Sequence, residues 1–334
     1  MAGVPLRGRT DAIPPQVLLL VGMASVQFGA AFANTLFGKA GPAGVVLLRL
    51  TFAALLLLAL ARPRLAGRSR TDLLAATGFG LVLACMNWSF YESLHRLPLG
   101  VAVTVEFLGP LGVAVAGSRK LLDLVWVLLA GGGVTLLALG GSGGKLNSAG
   151  LLLAALAGAL WAAYILLSQR VGSRFAGLDG LAIAMALGTV VMIPAGVVQG
   201  GSALLRPDVL FGGFWIAVLS SLIPYSLEII SLRRLSASDF GLLMSLEPAV
   251  AALAGMLVLG QQPHLRTVLA IAMVVVASAG TTLEASHAAT GTAAGETVSD
   301  GTAPDGPARD GPARDGPAPK GPVPAAGRPP TPLG

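Results

Sequence analysis

Long apolar runs, each close to the ~20 residues that cross a bilayer as a helix, follow one another along most of this chain. They fall at about 17–36, 43–61, 73–94, 100–117, 121–140, 150–169, 178–198, 211–232, 239–259 and 265–283. Gly, Pro, Arg and Asp fill the short links, as suits neighbouring helices joined by hairpins. No run alternates apolar with polar residues as a membrane strand does. The pattern predicts an all-α polytopic membrane protein of ten transmembrane helices. Residues 1–16 form a polar lead carrying Arg7 and Arg9. The first run is long enough to span and lacks a small-residue cleavage site, so no removable signal peptide is expected. After residue 283 the apolar pattern stops. Residues 284–334 are rich in Ala, Gly, Pro and Thr, with DGPAR at 305–309 and again at 310–314. Such a segment buries too little apolar surface to fold and is expected to be a disordered tail.

Composition agrees with the pattern. Apolar residues make up 54% of the chain, charged residues 11%, and the mean hydropathy is +0.78. Soluble domains carry about 25% charged residues. A net charge of +6 calls for no nucleic acid, because cytoplasmic loops of membrane proteins collect Lys and Arg. That bias also orients the chain. Arg62, Arg64, Arg68 and Arg70, then Arg119 with Lys120, Arg170 with Arg174, and Arg233 with Arg234 all fall on one side of the ten-helix arrangement. The other side holds only Lys39, Arg96, Lys145, Arg206 and Arg266. Both termini are therefore expected in the cytoplasm of a multi-pass cell-membrane protein. Cys85 is the one cysteine and cannot form an intramolecular disulfide. No Walker motif, metal-ligand spacing or nucleophile motif occurs, which argues against ATP-driven transport, a resident cofactor and an enzyme.

An internal repeat gives the arrangement a direction. Residues 93–117 align without a gap on residues 231–255. The alignment pairs Ser93 with Ser231, Arg96 with Arg234, Pro110 with Pro248 and Gly117 with Gly255. It maps the third and fourth segments onto the eighth and ninth, so each half holds five helices. Five is odd, so the second half is expected upside down relative to the first. Inverted repeats are an architecture of secondary transporters, with the site near the midplane between halves. The chain thus divides into a first repeat over 17–140 and a second over 150–283.

Ionisable residues inside apolar spans are costly and mark function by default. Glu247, beside the helix-breaking Pro248, lies near the middle of the ninth segment. Glu106 lies in the paired fourth segment, close to Pro110, and in repeat register Glu247 falls on Gly109. Residues three apart share a helix face, so both acids should look into one kind of environment. Glu228, near Pro224, sits toward the cytoplasmic end of the eighth segment, and Glu92 toward the outer end of the third. Each acid has a plainer role, hydrogen bonding across helices; that role is favoured for Glu92 and is the lesser one for Glu247. Arg49 is the one cation inside a span. It is placed either to pair with Glu106 or to hold a substrate carboxylate in its fork. Gln27 and Asn34 share a face of the first segment. Asn87, Ser89, Tyr91 and Tyr225 are further polar candidates, with interhelical bonding at least as good an account of each.

The stretches MNWSFYESLHRLPLGVAVTVEFLGPL (86–111) and IPYSLEIISLRRLSASDFGLLMSLEPAVAALAGMLVLG (223–260) resemble the EamA branch of the drug/metabolite transporter superfamily. Within it they look most like the threonine/homoserine exporter subfamily. The resemblance covers roughly residues 17–283. It implies two inverted five-helix halves and export of small metabolites driven by an ion gradient, with L-threonine and L-homoserine as leading substrates. It further implies that Glu106, Glu228 and Glu247 are intramembrane acids and Arg49 the helix 2 arginine. Many EamA chains carry a glutamate after the Leu-Gly that ends the ninth helix, where this chain has Gln261. The implied partners are a small zwitterionic amino acid, protons and the lipid bilayer, with a homodimer left open. A transporter of another metabolite or drug is the nearest rival, and a sensor presenting its tail is a rival of another class.

Overall fold

In a computed structural model, residues 13–63, 68–116, 121–138, 146–175, 178–232 and 234–298 are described. Among them the regular structure is helical throughout. The described residues divide into two units between Thr290 and Gly291. The helices are α1 (Pro15–Ala61), α2 (Arg70–Leu94), α3 (Leu99–Glu106), α4 (Leu108–Ala116), α5 (Leu121–Ala138) and α6 (Ser148–Gly172). They continue as α7 (Asp179–Gly200), α8 (Pro207–Ala217), α9 (Ile223–Leu232), α10 (Ala237–Met244), α11 (Glu247–Leu259) and α12 (Leu265–Val298). Eight helical stretches among the described residues are long and apolar enough to cross a membrane, and Leu124–Leu137 is a shorter apolar helix.

Two expected segments, 17–36 and 43–61, fall within the single helix α1. At 47 residues α1 would be about 70 Å long if straight, twice a bilayer core. It is not straight: Gly41 leaves the helical region at φ 67°, ψ 160°, and Pro42 follows. Proline cannot donate to the preceding turn, and only glycine takes that φ without strain. α12 continues to Val298, past the expected end of the last segment at 283. The repeated DGPAR motifs lie outside the described residues.

Local chemistry sets the helix ends. Ser69 and Asp72 form a reciprocal capping box on α2. Asn147 accepts from Gly150 N–H at the start of α6, and Ser236 from Asp239 N–H at the start of α10. Gly260 closes α11 in the left-handed conformation at φ 63°.

Helices meet through small residues, as lipid-embedded helices must when no water drives them together. α1 packs most extensively on α7, and α2 on α6 and α7. A Cβ on Gly80 of α2 would lie 2.7 Å from the Ala184 carbonyl of α7. One on Gly196 of α7 would lie 2.6 Å from Leu47 of α1. Leu74, Leu152, Val198 and Leu257 are exposed on the outside of the bundle, the surface a bilayer would cover. Charged contacts sit at the helix ends: Arg174–Asp72 at 3.0 Å and Lys39–Asp208 at 2.9 Å.

Candidate functional site

Three further helix breaks fall beside the residues singled out above. α3 ends at Glu106 and α4 begins at Leu108, with Phe107 as the joint and Pro110 just beyond. α10 ends at Met244, Ser245 and Leu246 turn, and α11 starts at Glu247 with Pro248 in its first turn. The third break is a π turn, Val218–Leu222, between α8 and α9. Each proline lacks the N–H that would bond the preceding turn, which frees carbonyls at these depths.

At the π turn those carbonyls can be followed individually. Ile223 N–H reaches back to Val218 O rather than to Leu219 O. Leu219 O then accepts from Ser25 Oγ of α1 at 2.7 Å. Pro224 cannot donate to Ser220 O, and Arg49 Nη2 takes that carbonyl at 3.1 Å. Arg49 Nη1 donates to Tyr91 Oη at 3.1 Å. Its Nε is buried and has no partner among the described residues. Of the two placements open to Arg49, the ion pair with Glu106 is not formed: no carboxylate lies within bonding range of Arg49 among the described salt bridges. The helix break supplies the carbonyl that Arg49 uses instead. Glu106 still feels the charge of Arg49, and that of Glu247 as well.

Glu106 and Glu247 are 8% and 7% exposed, deep enough to be cut off from bulk water. Glu247 Oε1 accepts from Gln27 Nε2 at 2.9 Å, a bond between α1 and the first turn of α11. α3 and α11, one from each half of the sequence repeat, cross at Gly100, where a Cβ would lie 2.8 Å from Ala252. Gly109, the register partner of Glu247, lies against the Gly158 carbonyl of α6. No side chain fits there. That contact accounts for the glycine at position 109.

The other candidates divide. Glu228 and Tyr225 lie half-buried on α9, and both act electrostatically on Tyr164 of α6. Tyr164 stacks on Phe79 with ring centroids 5.0 Å apart. Asn87 turns back on its own helix, donating to Leu83 O at 2.8 Å. Asn34 donates to Leu94 O at 2.8 Å, an interhelical bond. Glu92 bonds Arg96 and accepts from Gln199 Nε2 at 3.1 Å. Gln261 Oε1 accepts from Leu99 N–H at 3.0 Å, so an amide caps the start of α3. Tyr164, Ser220 and Gln199 went unnoticed in the sequence. The one signal was the placement of Ser220 four residues before Pro224, where its carbonyl had to find another donor.

This arrangement is that of an all-helical, multi-pass membrane protein with acids, a cation and amides gathered at helix breaks inside the bundle. Comparisons with known proteins agree. The EamA-like transporter family matches residues 148–283. The threonine/homoserine exporter RhtA of Salmonella typhimurium (strain LT2) is 42% identical over 283 residues, covering 83% of this chain and 95% of that protein. The exporter of the same name from Escherichia coli (strain K12) is 44% identical over 273 residues, covering 80% and 91%. One crystal structure aligns over 81% of this chain and 98% of its own at a TM-score of 0.57 and 19% identity, a likeness of fold alone. The chain belongs to the EamA-like transporter family.

Proposed function

We propose that the chain exports small amino acids of the L-threonine and L-homoserine class across the cell membrane, by alternating access coupled to protons. The observation that carries this reading is the gathering of Arg49, Glu106 and Glu247 at helix breaks inside the bundle. A zwitterionic amino acid needs a cation for its carboxylate and an acid for its ammonium. The buried, unpartnered Nε of Arg49 offers a donor to the carboxylate while its other nitrogens hold Tyr91 and Ser220. Glu106 or Glu247 supplies the acid. The names of the RhtA relatives support the substrate class.

The ten-helix inverted arrangement belongs to the same proposal. The break at Gly41 divides α1 into two lengths that each suit one crossing, and Leu124–Leu137 supplies a further short span. The paired breaks at Phe107 and at Ser245–Leu246 fit two halves of one plan. The Lys and Arg distribution supports cytoplasmic termini. Glu247 serves as the coupling acid, releasing a proton as substrate binds, with Glu228 within electrostatic reach of it. The test is uptake of labelled L-threonine by proteoliposomes under an imposed pH gradient. Gradient-dependent accumulation is expected, and threonine flux indifferent to the gradient would remove proton coupling from the proposal.

A further inference from the structure

The bond from Gln27 to Glu247 uses one polar atom of each side chain and leaves an oxygen on each. Gln27 is 2% exposed and Glu247 7%, so both are more than nine-tenths buried. Gln27 Oε1 and Glu247 Oε2 have no hydrogen-bond partner among the described residues. Two buried acceptors are thus left, one on each side chain of a hydrogen-bonded pair, with no donor for either among the described residues. Burial of such atoms is unfavourable, and only a donor relieves it. Two donors suit the place. A proton on Glu247 turns its free oxygen into an O–H. A primary ammonium brings three N–H groups and a positive charge. Because an ammonium is attracted by the ionised carboxylate and not by the neutral acid, it displaces the proton.

Resting on the amino-acid reading above, we propose that Gln27 and Glu247 together form the ammonium subsite, in which a substrate –NH3+ and the proton of Glu247 exclude one another. Glu247, not Glu106, is then the acid that holds the substrate nitrogen. One proton leaves for each ammonium that enters, and the charge of the subsite is the same in both states. Gln27 is the positioning residue. Its amide N–H keeps hold of Oε1, and its own oxygen offers the second acceptor without adding a charge. An acid at position 27 would bring a second carboxylate, and an aliphatic residue no acceptor. The charged neighbours are Glu228 of α9, acting on Glu247, and Glu106 of α3, which also feels Arg49 of α1. Arg49 Nε is left for the other end of the zwitterion.

The test is labelling of the full-length protein in proteoliposomes with dicyclohexylcarbodiimide, which reacts with protonated buried carboxyls. The extent at Glu247 is read by peptide mass spectrometry. L-threonine is expected to slow labelling of Glu247, and 2,3-dihydroxybutanoate, with hydroxyl in place of ammonium, to leave it unchanged. Gln27→Met is expected to raise the half-protecting threonine concentration at least about tenfold, the loss of a hydrogen bond to a charged group. Equal protection by the hydroxy acid, or an unaltered concentration in a well-folded Gln27→Met, would overturn the subsite. If Gln27→Met melts early, comparison of the two ligands on the unmodified protein decides alone. If ethanolamine protects and threonine does not, the subsite stands and the threonine assignment falls. If no primary amine protects Glu247, the subsite falls.

Discussion

Arg49 Nη2 donates to the carbonyl of Ser220 at 3.1 Å, the carbonyl that Pro224 leaves without a donor in its own helix. A proline on α9 therefore helps fix a guanidinium on α1. With Nη1 on Tyr91, the fork is held at two points while Nε stays unpartnered. Replacing Arg49 by Lys keeps the charge but loses the planar fork, whose fixed, spread donors reach Tyr91 and Ser220 while leaving Nε for a third acceptor; a compact ammonium cannot span those positions. Threonine transport by Arg49→Lys is expected to fall at least about tenfold, equivalent to one charged hydrogen bond of about 1.5–3 kcal/mol. Initial rates of labelled threonine uptake measure it; rates within twofold of the unmodified protein would contradict the role given to the fork.

Pro224→Ala restores an N–H opposite Ser220 O. The helix then competes with Arg49 for that carbonyl. Removing a helix-interior proline favours the helix by up to about 3 kcal/mol. The expected outcome is a melting temperature equal to or above that of the unmodified protein, together with slower transport. A thermal melt and an uptake assay on the same preparation separate the two effects. Faster transport would show that the proline does not serve through Arg49.

Gly109 and Gly158 bring α4 and α6 into backbone contact beside Glu106. A Cβ on Gly158 would lie 2.6 Å from the Glu106 carbonyl. Gly158→Ala forces the helices apart at the break and is expected to destabilise by about 1–3 kcal/mol. Gly38→Ala, where a Cβ meets nothing within 4 Å, should be neutral or mildly stabilising and serves as the control. The melts of the two variants, compared directly, check the packing.

Gln199 joins two helix ends. Its Oε1 accepts the Ala43 N–H just past the Gly41–Pro42 break, and its Nε2 donates to Glu92. Gln199→Ala removes both bonds. Loss of a helix cap and of a bond to a carboxylate predicts destabilisation of about 1–3 kcal/mol. Gln199→Glu is expected to be as damaging, because a carboxylate would face Glu92. A thermal melt of each variant checks this; unchanged melting would mean the break in α1 needs no cap.

Hydropathy located most helices to within a few residues, because a span must satisfy its backbone internally and be apolar for about twenty residues. The acids stood out for the same reason: Glu106 and Glu247 are charges where charges are costly. The prolines told where helices break. What the sequence did not show was where the freed groups go. Depth along the chain leaves Arg49 either a pair with Glu106 or a substrate carboxylate, yet its guanidinium bonds Ser220 and Tyr91, groups that lie far from it along the chain. Asn87, open in the sequence to a substrate bond or an interhelical bond, donates to Leu83 O of its own helix. Gln199 carried no signal, since nothing local marks an amide that caps another helix. The π turn at Val218–Leu222 was equally hidden, because its sequence reads as ordinary apolar helix.

The most direct test of the account is accumulation of labelled L-threonine by proteoliposomes under a pH gradient, comparing the unmodified chain with Glu247→Gln. The account predicts gradient-driven accumulation by the unmodified chain. With Glu247→Gln it predicts loss of that response, because an amide cannot give up a proton to an incoming ammonium. Undiminished gradient-driven accumulation by Glu247→Gln would contradict it and move the coupling role to another acid.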